Sequence, residues 1–327
     1  MIMLLMRGAY YLGLDRLFYW LNSRAKRIVT FHNIIPSQLL PAEDASCICF
    51  PDKLFERIVD EIGTRFRFST DLFDPETCTI TFDDGYANQF EVAGPILRQR
   101  GIAAILFLSQ SLVNAQEPTD ALVVDRLLLW TARVPLSLAH EEWGGQFESR
   151  DELWIRIIRP AFVADRNRRG LGLIEKLDRV YSFDEVFAQC SADYLRLRLR
   201  GVTSEQIREF EKEGWLFAHH TVSHFPLSAL DEVSAAAEIQ PPEGKRDLPF
   251  GYPYGETDSV SAKDVALAER LGYPCAVANT PDKTPLQGRY FMPRFMLFTS
   301  DRYRIHFELS GLKYFLKYRR LLPVYSK

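Results

Sequence analysis

Cys78-Thr79-Ile80-Thr81-Phe82-Asp83-Asp84-Gly85 is the stretch that decides how this chain folds. Its β-branched and aromatic residues predict a strand, and that strand runs straight into two carboxylates and a glycine. Side chains alternate along a strand, so Asp83 and Asp84 leave its carboxyl end in different directions. One can bind a metal while the other meets a substrate. Far downstream stands His220-Thr221-Val222-Ser223-His224, whose two histidines can converge on one ion from a single helical turn. Together they supply a mononuclear metal hydrolase: Asp84, His220 and His224 as ligands of a divalent ion, an open position for water, and Asp83 beside it as base. Asp-Gly alone is a common loop pair, and two such histidines alone are ordinary buried residues. The combination carries the chemistry.

Outward from this strand, seven short apolar or β-branched runs are expected as strands: 27–32, 78–83, 103–109, 216–221, 248–253, 275–280 and 290–297. Helical patterns lie between most of them. Leu54, Phe55, Ile58, Val59 and Ile62 recur at helical spacing after Pro51-Asp52. Residues 87–100 form a second helix interrupted at Gly94-Pro95 and closed by Gly101. Thr203 with Gln206 is a capping-box signature, and 260–271 leads by a helix into another strand. Strands alternating with helices argue for an α/β sheet of parallel strands, open or closed. The stretch 111–200 breaks the rhythm with helical segments at 121–132, 152–165, 172–180 and 182–200, the last opened by a Ser182/Glu185 capping box. His220 follows Asp84 by 136 positions, far more than one α/β step requires. An inserted helical lid or subdomain is expected there, containing Trp130, Trp143 and Trp154, which can either stack on sugars or fill a core.

With Phe250-Gly251-Tyr252-Pro253-Tyr254-Gly255 added, the chain resembles the polysaccharide deacetylase family, carbohydrate esterase family 4, whose shared unit is the NodB homology domain. Residues 81–85 resemble its first motif, 220–224 its second and 250–255 its third. The resemblance implies a distorted (β/α) barrel of about seven strands and metal-dependent removal of an acetyl group, usually from an N-acetylated sugar. Two departures stand out. Where the third motif usually carries an arginine that orients the catalytic Asp, this chain has Gly251 and Tyr252, and Arg294 is the candidate replacement. The usual late Leu-x-His is absent after residue 296, whereas Ile28-Val29-Thr30-Phe31-His32-Asn33 resembles the circularly permuted branch that includes exopolysaccharide deacetylases. His32 is therefore the expected acid.

The implied organisation is an N-terminal amphipathic helix at 1–26, a first barrel part at 27–110, the helical insertion at 111–200, a second barrel part at 201–300 and a basic amphipathic helix at 301–327. Asp83 would deprotonate the water, the backbone N–H of Tyr254 would hold the oxyanion, Tyr252 and Pro253 would shape the acetyl pocket, and His32 would protonate the leaving amine. Oxygen and imidazole ligands suit zinc, cobalt, nickel or iron(II), with zinc first on availability. A deformylase or O-acetyl esterase would use the same site, and a non-catalytic glycan-binding relative is the rival from another class. His219, His140 and His306 are read as structural.

A chain of 327 residues, 47% hydrophobic, can bury a large core, and its formal charge of −3 offers no electrostatic case for nucleic acid. Cys47, Cys49, Cys78, Cys190 and Cys275 are odd in number and scattered, which reads as reduced thiols in a cytoplasmic protein. In 1–22, Arg7, Asp15 and Arg16 interrupt the apolar residues, against both a cleavable signal and a spanning helix. The glycan substrate is expected to be a polysaccharide or glycolipid precursor. The terminal helices either pack on the barrel or lie on the inner face of the membrane near a lipid-linked glycan. No G-x-S-x-G elbow or glycine-rich phosphate loop occurs.

Overall fold

The computed structural model describes residues 2–44, 48–145, 147–255, 258–279 and 288–326, so Cys47 and Thr280 lie outside the described residues. The strands are β1 (Arg27–Phe31), β2 (Asn33–Ile35), β3 (Cys49–Pro51), β4 (Arg67–Phe68), β5 (Thr77–Asp84), β6 (Ile105–Leu108), β7 (Leu216–His219), β8 (Phe250–Gly251), β9 (Ala276–Ala278) and β10 (Met292–Pro293). Seven of them pair in parallel in the order β1-β5-β6-β7-β8-β9-β10, with β4 added at the amino end of β5. Each of the seven falls inside or across an expected run. Just beyond β10, Phe295 returns to β1: its carbonyl accepts from Thr30 N–H at 3.0 Å and its N–H donates to Ile28 O at 2.7 Å. The sheet is thereby nearly closed into a distorted (β/α) barrel, which leaves little edge unpaired.

The period of two sorts the β5 side chains. Ile80 and Phe82 join Phe55, Ile58, Val59 and Ile62 of the helix Asp52–Gly63, together with Phe90 and Leu97. Thr81 and Asp83 point the other way, into the barrel, which Ile28, Ile105, Phe107, Ala218, Val277 and Met292 fill. The inner face of one strand therefore changes from threonine to carboxylate just where the barrel opens.

Two helical runs resolve in detail. The expected interruption at Gly94-Pro95 is a change of winding: the wide-turned Gln89–Ala93 gives way there to the α-helical Gly94–Arg98, with Pro95 in its first turn. A Cβ at Gly94 would stand 2.8 Å from the Phe210 ring, so the glycine permits close packing. Residues 182–200 form two helices, Phe183–Ala188 and Ala192–Leu199, because Ser191 caps the second as Ser182 caps the first.

Helices between β6 and β7 do not stand apart from the barrel. Leu127, Trp130, Leu153, Phe162 and Leu177 share one apolar cluster with Phe225, Phe250 and Tyr252 at the carboxyl ends of the strands. Trp130 is fully buried and Trp143 packs edge-on against it, whereas Trp154 lines a cavity over the site. Cys49, Cys78 and Cys275 are buried and form no disulfide among the described residues. Among the described residues no helix is long and apolar enough to cross a membrane.

Candidate active site

Asp84 ends β5 in a left-handed conformation, φ 75°, and Gly85 N–H donates to Asp83 O at 2.9 Å, closing a three-residue turn around it. Such turns are rare and strained for a residue with a side chain. Thr221, His224 and Tyr254 are also left-handed, so four of the seven such non-glycine residues among those described surround one point. The strain redirects side chains that a regular strand would spread along its length.

His220 follows β7, and a loop, not a helical turn, carries the chain on to His224. The left-handed Thr221 and His224 fold it back, and the Thr221 hydroxyl accepts from His224 N–H at 3.1 Å. Convergence of the two histidines comes from this tight loop. His220 Nδ1 lies 2.7 Å from Gly251 O, which orients its Nε2 inward. A Cβ on Gly251 would stand 2.8 Å from the Phe107 ring and 3.0 Å from that nitrogen, so glycine is needed for the approach.

Asp84 Oδ1 lies 2.9 Å from His224 Nε2 and 3.5 Å from His220 Nε2. One ligand atom from each of the three lies within 4.8 Å of the others, all three residues are buried, and they are the one such metal-capable group among the described residues. Asp84 Oδ1 and His220 Nε2 are buried without a well-aligned hydrogen-bond partner. Buried polar atoms are normally satisfied, and three such donors aimed at one point fit a divalent ion. Burial pushes the Asp84 carboxyl up, but the adjacent histidines pull it far below the usual carboxylate range. His224 is raised: burial lowers it, and Asp84 more than offsets that.

Asp83 turns into the barrel and meets Arg294, which follows β10. The guanidinium donates to Asp83 Oδ1 at 2.7 Å and Oδ2 at 2.6 Å, to Thr81 Oγ1 at 3.2 Å and to Asn279 Oδ1 at 2.5 Å, with both charged side chains fully buried. Arg294 also stands over the Phe107 ring at 5.2 Å. His32 Nε2 lies 3.6 Å from Asp83 Oδ2, and burial lowers the His32 pKa despite the nearby Asp83 and Asp84. The Tyr254 ring lies tilted against that of His224, centroids 4.8 Å apart, and its hydroxyl donates to His224 O at 3.2 Å. Tyr252 lies away from this mouth, buried with its hydroxyl donating to Tyr290 O at 2.9 Å. Its side chain does not line the cavity, because alternation along the strand end sends it to the apolar cluster. Pro253 sits between, and Gly255 N–H closes a turn onto its carbonyl at 2.6 Å.

Above the site lies a cavity of about 760 Å³. His32, Asp84, His224 and Tyr254 are at one side, and Val124, Leu128, Trp154, Ile155, Phe162 and Val163 from the helical insertion form an apolar wall.

Several supports were not anticipated from sequence. Glu238, 5% exposed, accepts from the backbone N–H of Val222 at 3.0 Å and Ser223 at 2.8 Å and from Ser223 Oγ at 2.7 Å. It thus holds the histidine loop, while its own carbonyl meets His219 Nε2 at 2.9 Å. Burial lowers the His219 pKa to about 4, in keeping with a structural role. A lone carboxylate in the otherwise apolar Ala235-Ala236-Ala237-Glu238-Ile239 was the available signal. Gln89 donates to Asp83 O at 2.6 Å and His32 O at 3.1 Å, tying the two together from behind. Tyr86, directly after the motif, hydrogen-bonds Asp125 of the insertion, which Arg198 also holds at 2.6 Å. His140 and His306 are engaged elsewhere, with Phe147 O and with Tyr19 and Glu61.

No protein-family model matches this chain, and a search of curated proteins finds no match. Solved structures do resemble it. A Streptococcus pyogenes deacetylase, PplD, in complex with acetate superposes with a TM-score of 0.48 at 14% identity, covering 83% of this chain and 92% of its own. IcaB from Ammonifex degensii gives 0.47 at 13% identity, covering 88% and 98%. A polysaccharide deacetylase from Bacillus cereus gives 0.46 at 12%, covering 86% and 68%. At such scores the likeness decides nothing about the site, which stands on its own geometry.

Proposed function

We propose that this protein is a metal-dependent hydrolase that removes the acetyl group from an N-acetylated sugar of a polysaccharide or glycolipid precursor. The observation that carries the reading is the convergence of Asp84, His220 and His224 within 4.8 Å, beside a carboxylate clamped by Arg294. The sugar N-acetyl class comes from the motif resemblance.

Asp84, His220 and His224 would hold a divalent ion, zinc first and cobalt, nickel or iron(II) as alternatives. When bound, such an ion supplies a Lewis acid and a water of lowered pKa. Asp83 takes a proton from the attacking water. Arg294 uses one lone pair of each Asp83 oxygen, and each keeps another for the reaction. His32, 3.6 Å from Asp83, can exchange that proton and deliver it to the departing nitrogen. Water and amide are consumed, and acetate and free amine leave. The backbone N–H of Tyr254, whose left-handed conformation turns the local peptide, is assigned to the oxyanion; one such donor is typically worth about 3 kcal/mol in the transition state.

The apolar wall supports a substrate that brings a hydrocarbon portion with its sugar, as a lipid-linked precursor does. That substrate and the buried thiols of Cys49, Cys78 and Cys275 support a place on the cytoplasmic side. Acetate release from a lipid-linked N-acetylhexosamine and from a chitooligosaccharide, with and without chelator, tests the proposal. Chelator-sensitive release that is faster from the lipid-linked sugar is expected. Formate release from an N-formyl analogue, or acetate only from O-acetyl esters, would reassign the reaction. No turnover with any of them in metal-loaded protein would overturn it.

A further inference from the structure

Helices Ile2–Tyr11 and Leu14–Leu21 pack against Arg302–Leu309 and Leu312–Tyr318, so the two ends of the chain build one surface. Tyr19 OH meets His306 Nδ1 at 2.9 Å, Phe18 and Phe315 rings lie 5.0 Å apart, and Asn22 bonds both Ser310 O and Leu322 N–H. Packing of Asp15, Phe18 and Tyr19 leaves the other side of Leu14–Leu21 outside, with Leu17 near its centre and Leu14, Trp20 and Leu21 around it. Of fifteen exposed large apolar residues among those described, ten lie here: seven between Met3 and Leu21, and Leu316, Leu321 and Val324. Leu12 is 79% exposed and Trp20 70%. Single exposed apolar residues are ordinary, but a contiguous group marks an interaction surface.

Its charge identifies the partner. Arg7, Arg16, Arg24, Lys313, Lys317, Arg319 and Arg320 are exposed along these segments. The carboxylates on the four helices are Asp15 and Glu308, both buried, and Glu308 is paired with Lys313 at 3.3 Å and Arg304 at 3.4 Å. In a chain of net charge −3 this is a strong local excess of cations. A second copy docking by the same surface would bring cation against cation across a twofold axis. An anionic bilayer satisfies both features: phosphate headgroups meet Arg and Lys, and Trp20, Tyr11 and the leucines enter the headgroup–acyl boundary.

We infer that the paired terminal helices form a peripheral docking surface for an anionic lipid bilayer, lying in its interface without crossing it. This stands on the surface alone and holds whether or not the catalytic reading does. The test is co-sedimentation of the full chain with phosphatidylcholine vesicles and with vesicles containing phosphatidylglycerol. Binding is expected to be at least about tenfold tighter to the anionic vesicles and to weaken with salt. Leu17→Glu/Trp20→Glu and Arg319→Glu/Arg320→Glu should each reduce it about tenfold or more, with unchanged circular dichroism because these side chains point to solvent. Equal pelleting with both vesicle types, binding untouched by either variant, or a concentration-dependent dimer dissolved by the same substitutions would overturn the inference.

Discussion

Arg294→Met isolates the interaction at the heart of the barrel. The guanidinium and the Asp83 carboxylate are both fully buried and joined by bonds of 2.7 and 2.6 Å. Removing one partner strands the other charge, which typically costs about 3–5 kcal/mol. Burial pushes the Asp83 carboxyl up, and Arg294, His220 and His32 pull it down by more, so its pKa is lowered. A lowered carboxyl contributes stability above its unfolded pKa, and that contribution is lost as pH falls through the folded value. Without Arg294 the burial effect gains weight and the Asp83 pKa rises. The variant is then most deficient at a pH where Asp83 would be charged, and it recovers relative to wild type as the pH falls and Asp83 takes up a proton. Urea unfolding followed by tryptophan fluorescence, with chelator in every sample, measures the gap at each pH. Asp83→Asn/Arg294→Met should return to within about 1–2 kcal/mol of wild type, since no charge is left unpaired. A single variant within about 1 kcal/mol of wild type at neutral pH, or a loss that ignores pH and persists in the double variant, would refute the reasoning.

His220→Ala and His224→Ala should lose metal by elemental analysis, whereas Asp83→Asn should keep about one equivalent while losing turnover by at least about 10²-fold. Glu238→Gln keeps the shape but weakens the acceptor for two backbone N–H groups of the histidine loop; metal affinity, measured against a competing chelator, should fall about 10–100-fold. Phe82→Ala opens a cavity where Phe31, Phe55 and Trp215 meet, and thermal or urea unfolding should show a loss of about 3–5 kcal/mol.

Much of the framework was legible in local sequence. Strand runs, the Asp-Asp-Gly motif, and the Thr203 and Ser182 caps depend on residue type and short-range periodicity, and short-range physics governs them in the fold as well. Arg294 could be nominated only by resemblance to a family pattern. Its meeting with Asp83, 211 positions away, exists because barrel closure brings the end of β10 against β5's inner face. The convergence of His220 with His224 was anticipated, but its cause was not, since left-handed Thr221 and His224 are imposed by surroundings such as Glu238 and not by their own propensities. Likewise the apolar wall over the site and the buried Asp125–Arg198 pair arise from packing between elements distant in the chain. Sequence by itself determined which side chains can bind an ion, move a proton or span a strand, because these are properties of the groups. Tertiary structure alone decided which of them face one another and how dry the place is where they meet, because distance and desolvation set the strength of every charged contact here.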